Sequence, residues 1–335
     1  MIDVQDIKAG TQPGLRFAAL LDRAGGCTDL DWDGIARWRP EDGFLWIHLE
    51  RDDPIASQWM REKSGIDPLV ALALLAEESR PRVEDVDDCL MVVLRGVNVG
   101  DDSSQAELVP IHVWAEPNRL ISLRDKDHQL SALRAIRLAL LGGKGPRTPG
   151  GLLAQIAERI VEHMELVIDG MEDMVGELED ACIERVADTD LRSQLARVRR
   201  QAIHLRRYLG PQRDALYRLQ HDDATWLSRE AKLRLREVTD KVVRHIEDLD
   251  ALRDRTTVLH EDLSAQISEK IASTSNRFTV LTALLLPPSL LAGLLGANVG
   301  GIPGHDDPLA FWQMCLIVAG LMPILWLALK RLKWL

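Results

Sequence analysis

Up to about Leu140 the chain alternates short apolar runs with stretches of helical period, and beyond it the pattern is helical throughout. LRFAALL, FLWIHL, CLMVVLRGV, PIHVWAE and RLISL read as strands, whereas IASQWMREK and DPLVALALLAEE read as helices. EPNRL has the composition of a hairpin turn. These elements predict a mixed α/β domain over residues 1–149, with the Gly/Pro-rich GGKGPRTPGG from Gly142 to Gly151 as its boundary. A helical hairpin is expected over 150–221. Its first helix runs from about Leu152 to Val186 and its second from about Leu191 to Leu209, with breaks at ADTD and at Gly210-Pro211.

From Asp222 no Gly or Pro intervenes before Pro287, so a single helix is predicted to reach Leu295. At about 1.5 Å per residue it would extend roughly 110 Å, several times a bilayer core. Leu235, Val238, Val242, Ile246, Leu249, Leu252, Thr256, Leu259, Leu263, Ile267 and Ile271 recur with a mean step of about 3.6, the period of a straight amphipathic helix that must pack this seam against something. No charged side chain occurs from Phe278 to Gly304 or from Pro308 to Leu329, and each window exceeds the roughly 20 apolar residues needed to cross a bilayer. The expected order is therefore a stalk over 222–277, a first transmembrane helix over 278–296, an outer loop over 297–308, a second transmembrane helix over 309–329 and a basic tail over 330–335. The fold class is an α+β membrane protein whose long stalk helix becomes the first of two C-terminal spans.

Charge refines this picture. With 41 Lys plus Arg against 52 Asp plus Glu, the net charge of −11 argues against nucleic-acid binding and allows attraction of cations. The outer loop has no Lys or Arg, while Arg277 precedes the first span and Lys330, Arg331 and Lys333 follow the second, which predicts cytosolic termini. MIDVQDIKAG has neither the basic start nor the apolar run of a cleaved signal peptide. Cys27, Cys89, Cys182 and Cys315 form no CxxC pair, so neither a disulfide framework nor a zinc knuckle is indicated. With no nucleophile-base spacing, phosphate loop or metal-ligand motif, no enzyme, no cofactor and no fixed metal site are expected.

Two helical faces carry candidate chemistry. Glu158, Glu162, Glu165, Asp169 and Glu172 share one face of the first hairpin helix, opposite an Arg-rich second helix; solvated, complementary charge and a cation-sensing face are the two readings. Along the stalk, steps of seven give Asp240, Glu247, Asp254 and Glu261, then Ser268, Ser275, Thr282, Ser289 and Gly296, with Thr279, Leu286 and Gly293 interleaved. The acids could attract cations, and Ser275, Thr279, Thr282, Leu286, Ser289 and Gly293 could line an aqueous path if the stripe were repeated around a ring. Alternatively the hydroxyls bond their own backbone and the acids are merely solvated, and a seven-residue stripe drifts about 20° per heptad on a straight helix. Pro287-Pro288 fits a kink or a wider site in the pathway, or plain packing.

Gly296-Ala297-Asn298 at the outer end of the first span, GGIPG after it, RYLGPQRDAL before the stalk, ESRPRV in the α/β domain and the ending KRLKWL together resemble the CorA-type divalent-cation transporters, in particular their zinc-transporting ZntB branch. The likeness covers nearly the whole chain. It implies a homopentameric funnel in the inner membrane, a pore lined by the first span, an ion filter at Gly296, Ala297 and Asn298, and a basic collar at Lys330, Arg331 and Lys333. Five Asn298 carboxamides could hydrogen-bond the water shell of a hydrated cation without a deep well, and Asp306 and Asp307, beside His305, could recruit cations or simply form a solvated turn. The partners expected are further copies of the chain, the lipid bilayer and divalent cations, zinc first. A magnesium or cobalt channel and a non-conducting, membrane-anchored scaffold are the alternatives.

Overall fold

The computed structural model describes residues 12–77, 80–98, 107–125, 131–184, 189–296 and 308–331. They form two compact units, Met1–Ala181 with Asp190–Val258, and Cys182–Thr189 with Leu259–Leu335.

The first unit is built on seven strands, β1 (Leu15–Leu21), β2 (Cys27–Leu30), β3 (Phe44–Glu50), β4 (Arg82–Val86), β5 (Cys89–Asn98), β6 (Glu107–Ala115) and β7 (Arg119–Arg124). Their order in the sheet is β2-β1-β3-β7-β6-β5-β4. Only β3 and β7 pair in parallel. EPNRL is the β6–β7 turn, closed by the Glu116 N–H donating to the Arg119 carbonyl at 2.8 Å. Central β3 is apolar on both faces, as a strand covered on both sides must be. One face carries Leu45, Ile47 and Leu49 into a core shared with Ala56, Met60, Ala71 and Leu74. Those four residues come from α2 (Pro54–Glu62) and α3 (Pro68–Leu74), which follow the short α1 (Trp32–Arg37). Each of these two helices starts on an Asp-Pro pair. The Asp53 and Asp67 carboxylates accept first-turn N–H groups at 2.8 Å, and the proline occupies a position that needs no N–H. Gly14, at φ +76°, lets β1 approach α2, since a Cβ there would lie 2.7 Å from Asp53 Oδ1.

On the opposite face Trp46 and His48 converge on Ser122, with Trp46 Nε1 donating to its Oγ at 2.9 Å and His48 Nδ1 2.9 Å from the same oxygen. Burial, with the Arg124 charge adding to it, pushes the His48 pKa down to about 3. Phe17 lies beside them, beneath the Arg137 guanidinium of α4 (Ser131–Leu141), 4.3 Å from the ring centre.

Three long helices follow, α5 (Pro149–Glu184), α6 (Thr189–His221) and α7 (Arg229–Leu295), of which α7 continues into the second unit. Ile160, Met164, Ile168 and Met171 of α5, Leu205, Leu209 and Leu216 of α6, and Leu235, Val238, Val242 and Leu249 of α7 are all buried, each set at helical spacing. Ion pairs to α7 frame this seam, Arg206–Asp250 at 2.6 Å and Arg255–Glu179 at 2.7 Å. The acids of the α5 face are exposed or half-buried.

Three sequence expectations are corrected here. Helix α6 does not break at Gly210-Pro211 but passes through Pro211 to His221. Leu205, Leu209, Gln212, Leu216 and Leu219 keep one buried face across the proline, and Gly210 has no Cβ to clash with the proline ring. Helix α7 starts at Arg229 rather than Asp222, because the intervening residues are held elsewhere: Asp88 accepts from the Thr225 N–H at 2.8 Å and hydroxyl at 2.6 Å, and Trp226 Nε1 donates to the Asp88 carbonyl at 2.8 Å. The Gly142–Gly151 segment is a connection inside one compact unit rather than a boundary between two. Gly150 there packs on Leu227 and Ala231, where a Cβ would meet side chains at 3.1 and 3.4 Å.

The second unit contains α7 from Leu259 onward and α8 (Ala310–Arg331). Both helices are long and apolar enough to cross a membrane.

Candidate ion pathway

The proposed lining of the first span lies on the membrane-type part of α7. Ser275, Thr279, Thr282 and Leu286 follow one another at steps of four, three and four, which places them on one helical face. The structure gathers these four, with Phe278, Ala283 and Pro287, along a groove of about 600 Å³. Ser289 and Gly293 are exposed on the same helix and outside the groove lining.

The hydroxyls are not idle. Thr279 Oγ1 donates to the Ser275 carbonyl at 3.0 Å, and Thr282 Oγ1 donates to the Phe278 carbonyl at 2.8 Å. Ser264 and Ser268 back-bond in the same way, at 2.8 Å each. With its proton committed to the backbone, each threonine oxygen keeps lone pairs for another donor. A helix face of such oxygens therefore presents acceptors, which suits the outward-pointing protons of a hydrated cation. The two prolines of this stretch contribute as well. Pro287 and Pro288 have no N–H, so the Ala283 and Leu284 carbonyls lose their usual helical donors and add two more acceptors on this stretch.

The acidic series divides. Glu247 and Glu261 are exposed. Asp254 is held by the Arg253 guanidinium, at 3.1 Å from Nε and 2.9 Å from Nη2, which offsets its charge. Asp240 lines a groove together with Arg213, Arg229, Lys232 and Arg236, so its surroundings are cationic. His245, inside the buried seam, has its pKa lowered chiefly by desolvation, opposed by Glu165, Asp248 and Asp169.

At the outer end, Gly296 donates its N–H to the Ala292 carbonyl at 2.9 Å, and a Cβ there would lie 2.9 Å from that oxygen, so the helix end requires glycine. Ala297 and Asn298 of the expected filter, the outer-loop Asp306 and Asp307, and Lys333 of the basic tail lie outside the described residues. Lys330 and Arg331 end α8, with Lys330 Nζ 5.1 Å from the Trp326 ring centre, an arrangement suited to a membrane–water boundary. Among the described residues no three His, Cys, Asp or Glu side chains cluster to hold a metal ion.

Residues 41–331 match the family described as CorA-like Mg2+ transporter protein. The chain is 34% identical to the divalent cation transporter CmaX of Pseudomonas aeruginosa, over 99% of this chain and 100% of the relative. It is 33% identical to the zinc transport protein ZntB of Pectobacterium carotovorum, over 96% of each. The full-length CmaX structure superposes with a TM-score of 0.83 at 33% identity, covering 97% of this chain and 100% of that one. The chain belongs to the CorA-like Mg2+ transporter family, whose members carry divalent cations across membranes.

Proposed function

We propose that this CorA-family member conducts zinc across the inner membrane through a pore lined by α7 in a homopentameric ring, with Gly296, Ala297 and Asn298 as the outer filter and both termini in the cytosol. The observation that carries this reading is the acceptor stripe of Ser275, Thr279 and Thr282 where α7 becomes largely apolar. Oxygen acceptors gain nothing from lipid, and they are useful where a hydrated cation passes. Neutral acceptors hold such an ion weakly, which permits release. No tight dehydrated zinc site, with clustered His or Cys, is part of this scheme. Zinc is favoured by the likeness to proteins named as zinc transporters. Glu247, Glu261, Asp306 and Asp307 raise the local cation concentration at the two ends of the path, and Lys330, Arg331 and Lys333 form a basic collar that also fixes topology.

The test is metal uptake by the purified chain in proteoliposomes, with zinc, magnesium and cobalt compared, and with Asn298→Ala alongside. Zinc uptake exceeding the others, and lost in an Asn298→Ala variant of unchanged size on gel filtration, is the expected result. Preference for magnesium or cobalt would move the chain to the magnesium-type channels. No metal uptake at all would mark it as a membrane-anchored scaffold.

A further inference from the structure

We propose that the groove between the C-terminal part of α6 and the first four turns of α7 binds a small polyphosphate-bearing anion of nucleotide size. It has a volume of about 740 Å³, within the range of small-molecule sites. Its lining carries Arg213, Arg229, Lys232 and Arg236 against only two carboxylates, Asp214 and Asp240, in a chain whose net charge is −11. Asp214 is already engaged by Arg213, at 3.0 Å from Nε and 2.8 Å from Nη2.

The arrangement of the other three cations costs the free protein. Arg229, Lys232 and Arg236 are spaced three and four apart on one face of α7, where like charges repel. They also sit at the N-terminal end of the helix, whose dipole disfavours positive charge. Among the described residues none of the three has an ion-pair partner, although Lys232 is half-buried and neighbouring Arg234 is paired with Glu230 at 2.9 Å. An anion in the groove relieves both penalties at once, and the helix N-terminus adds to its attraction.

One further feature selects for more than inorganic phosphate. Tyr217, 57% exposed, packs on His221 with ring centres 4.5 Å apart and planes inclined by 41°, which leaves the phenol ring to stack against a planar base. His221 Nδ1 donates to the Tyr217 carbonyl at 2.8 Å, which holds the imidazole beside the phenol. The site is separate from the metal pathway and does not depend on which cation is carried.

The experiment uses the full-length protein in detergent, stripped of divalent metals with EDTA so that no metal bridges ligand and protein, and measures ATP binding by equilibrium dialysis. Saturable binding is expected, displaced by pyrophosphate, weakened by added salt, and undetectable for adenosine. Lys232→Glu with Arg236→Glu should weaken it by at least about tenfold with unchanged helicity and oligomer size. Lys232→Gln serves as the milder variant. Tyr217→Ala should weaken ATP but not pyrophosphate. Absence of saturable ATP binding by the wild type, or equal affinity in the double variant, overturns the proposal. Loss of a wild-type oligomer in the double variant, with no ATP bound by either, would overturn it in favour of a second copy whose carboxylates fill the groove.

Discussion

Helix α7 is one element with two kinds of surface. From Arg229 to Leu263 its seam is buried against its own chain, with Leu235, Val242 and Leu263 fully covered. Beyond Leu263 to Leu295, only Val280 and Pro288 are buried, while Phe278, Leu286, Leu290 and Leu294 are more than half exposed. Both stretches contain several leucines, so the presence of leucine does not by itself separate them. What differs is charge: the first stretch has a solvated polar face with acids and arginines, and the second has none past Arg277. An amphipathic helix has only one face to bury and finds cover in α5 and α6; an all-round apolar helix needs an apolar solvent or further copies of the chain.

The contrast breaks most sharply in stability. Leu249→Ala in the covered seam should destabilise the chain by about 2–5 kcal/mol, through lost burial and the cavity left behind. Leu286→Ala should change it by less than about 0.5 kcal/mol. Thermal unfolding of both variants in the same detergent measures the difference. A loss at Leu286 as large as that at Leu249 would show that another copy covers it.

The seam should also respond to acid where the membrane stretch does not. His245 is buried among groups from two helices, Glu165 and Asp169 of α5 and Arg244 and Asp248 of α7. Its folded pKa lies below its unfolded value of 6.5, so both states are neutral at higher pH. As the pH falls below 6.5, the unfolded chain takes up a proton that the folded one refuses, and stability is lost. His245→Gln should reduce the fall in unfolding midpoint between pH 7 and pH 5. An unchanged slope would place the acid sensitivity at other groups, such as the buried His48 and His112.

On the exposed side, Thr279→Val removes one acceptor at constant shape and leaves the fold intact. Zinc uptake should fall about fivefold, the equivalent of one hydrogen bond of ~1 kcal/mol. Uptake equal to wild type would mean that the Thr279 hydroxyl serves only its own backbone. The smallest effect is expected at Glu261, whose exposed carboxylate acts at a distance. Glu261→Gln should reduce uptake about twofold at low zinc and leave it unchanged at saturating zinc. Equal loss at every concentration would point to structural damage.

Much of the fold was legible in local pattern. LRFAALL coincides with β1, and the 3.6-residue recurrence marks the seam from Leu235 to Leu263, because periodicity reports which face is buried, whereas its last member, Ile271, is 64% exposed. Charge-free windows marked both membrane-type helices for an equally local reason. The candidate site was legible in part. Heptad spacing found Ser275, Thr279, Thr282 and Leu286, which share one groove, yet it could not foresee that Arg253 would engage Asp254 or that cations would surround Asp240. Side-chain partners one position away or on another helix leave no periodic trace.

The sequence by itself determined five of the seven strands, all but β2 and β4, together with the two apolar spans and the buried stripe of α7 as far as Leu263, which follow from the preferences of a residue and its near neighbours. Only the tertiary structure decided where helices end. Gly210-Pro211 are strong local breakers, but the continuous buried face from Leu205 to Leu219 outweighs one missing backbone bond. Asp222 to Ser228 could have been helical, but Asp88, far away in the chain, takes the Thr225 and Trp226 donors instead. Packing and hydrogen bonding between distant segments settle such cases, because their summed energies exceed local propensities, which are a fraction of a kcal/mol for an ordinary residue and about 1 and 3 kcal/mol for Gly and Pro.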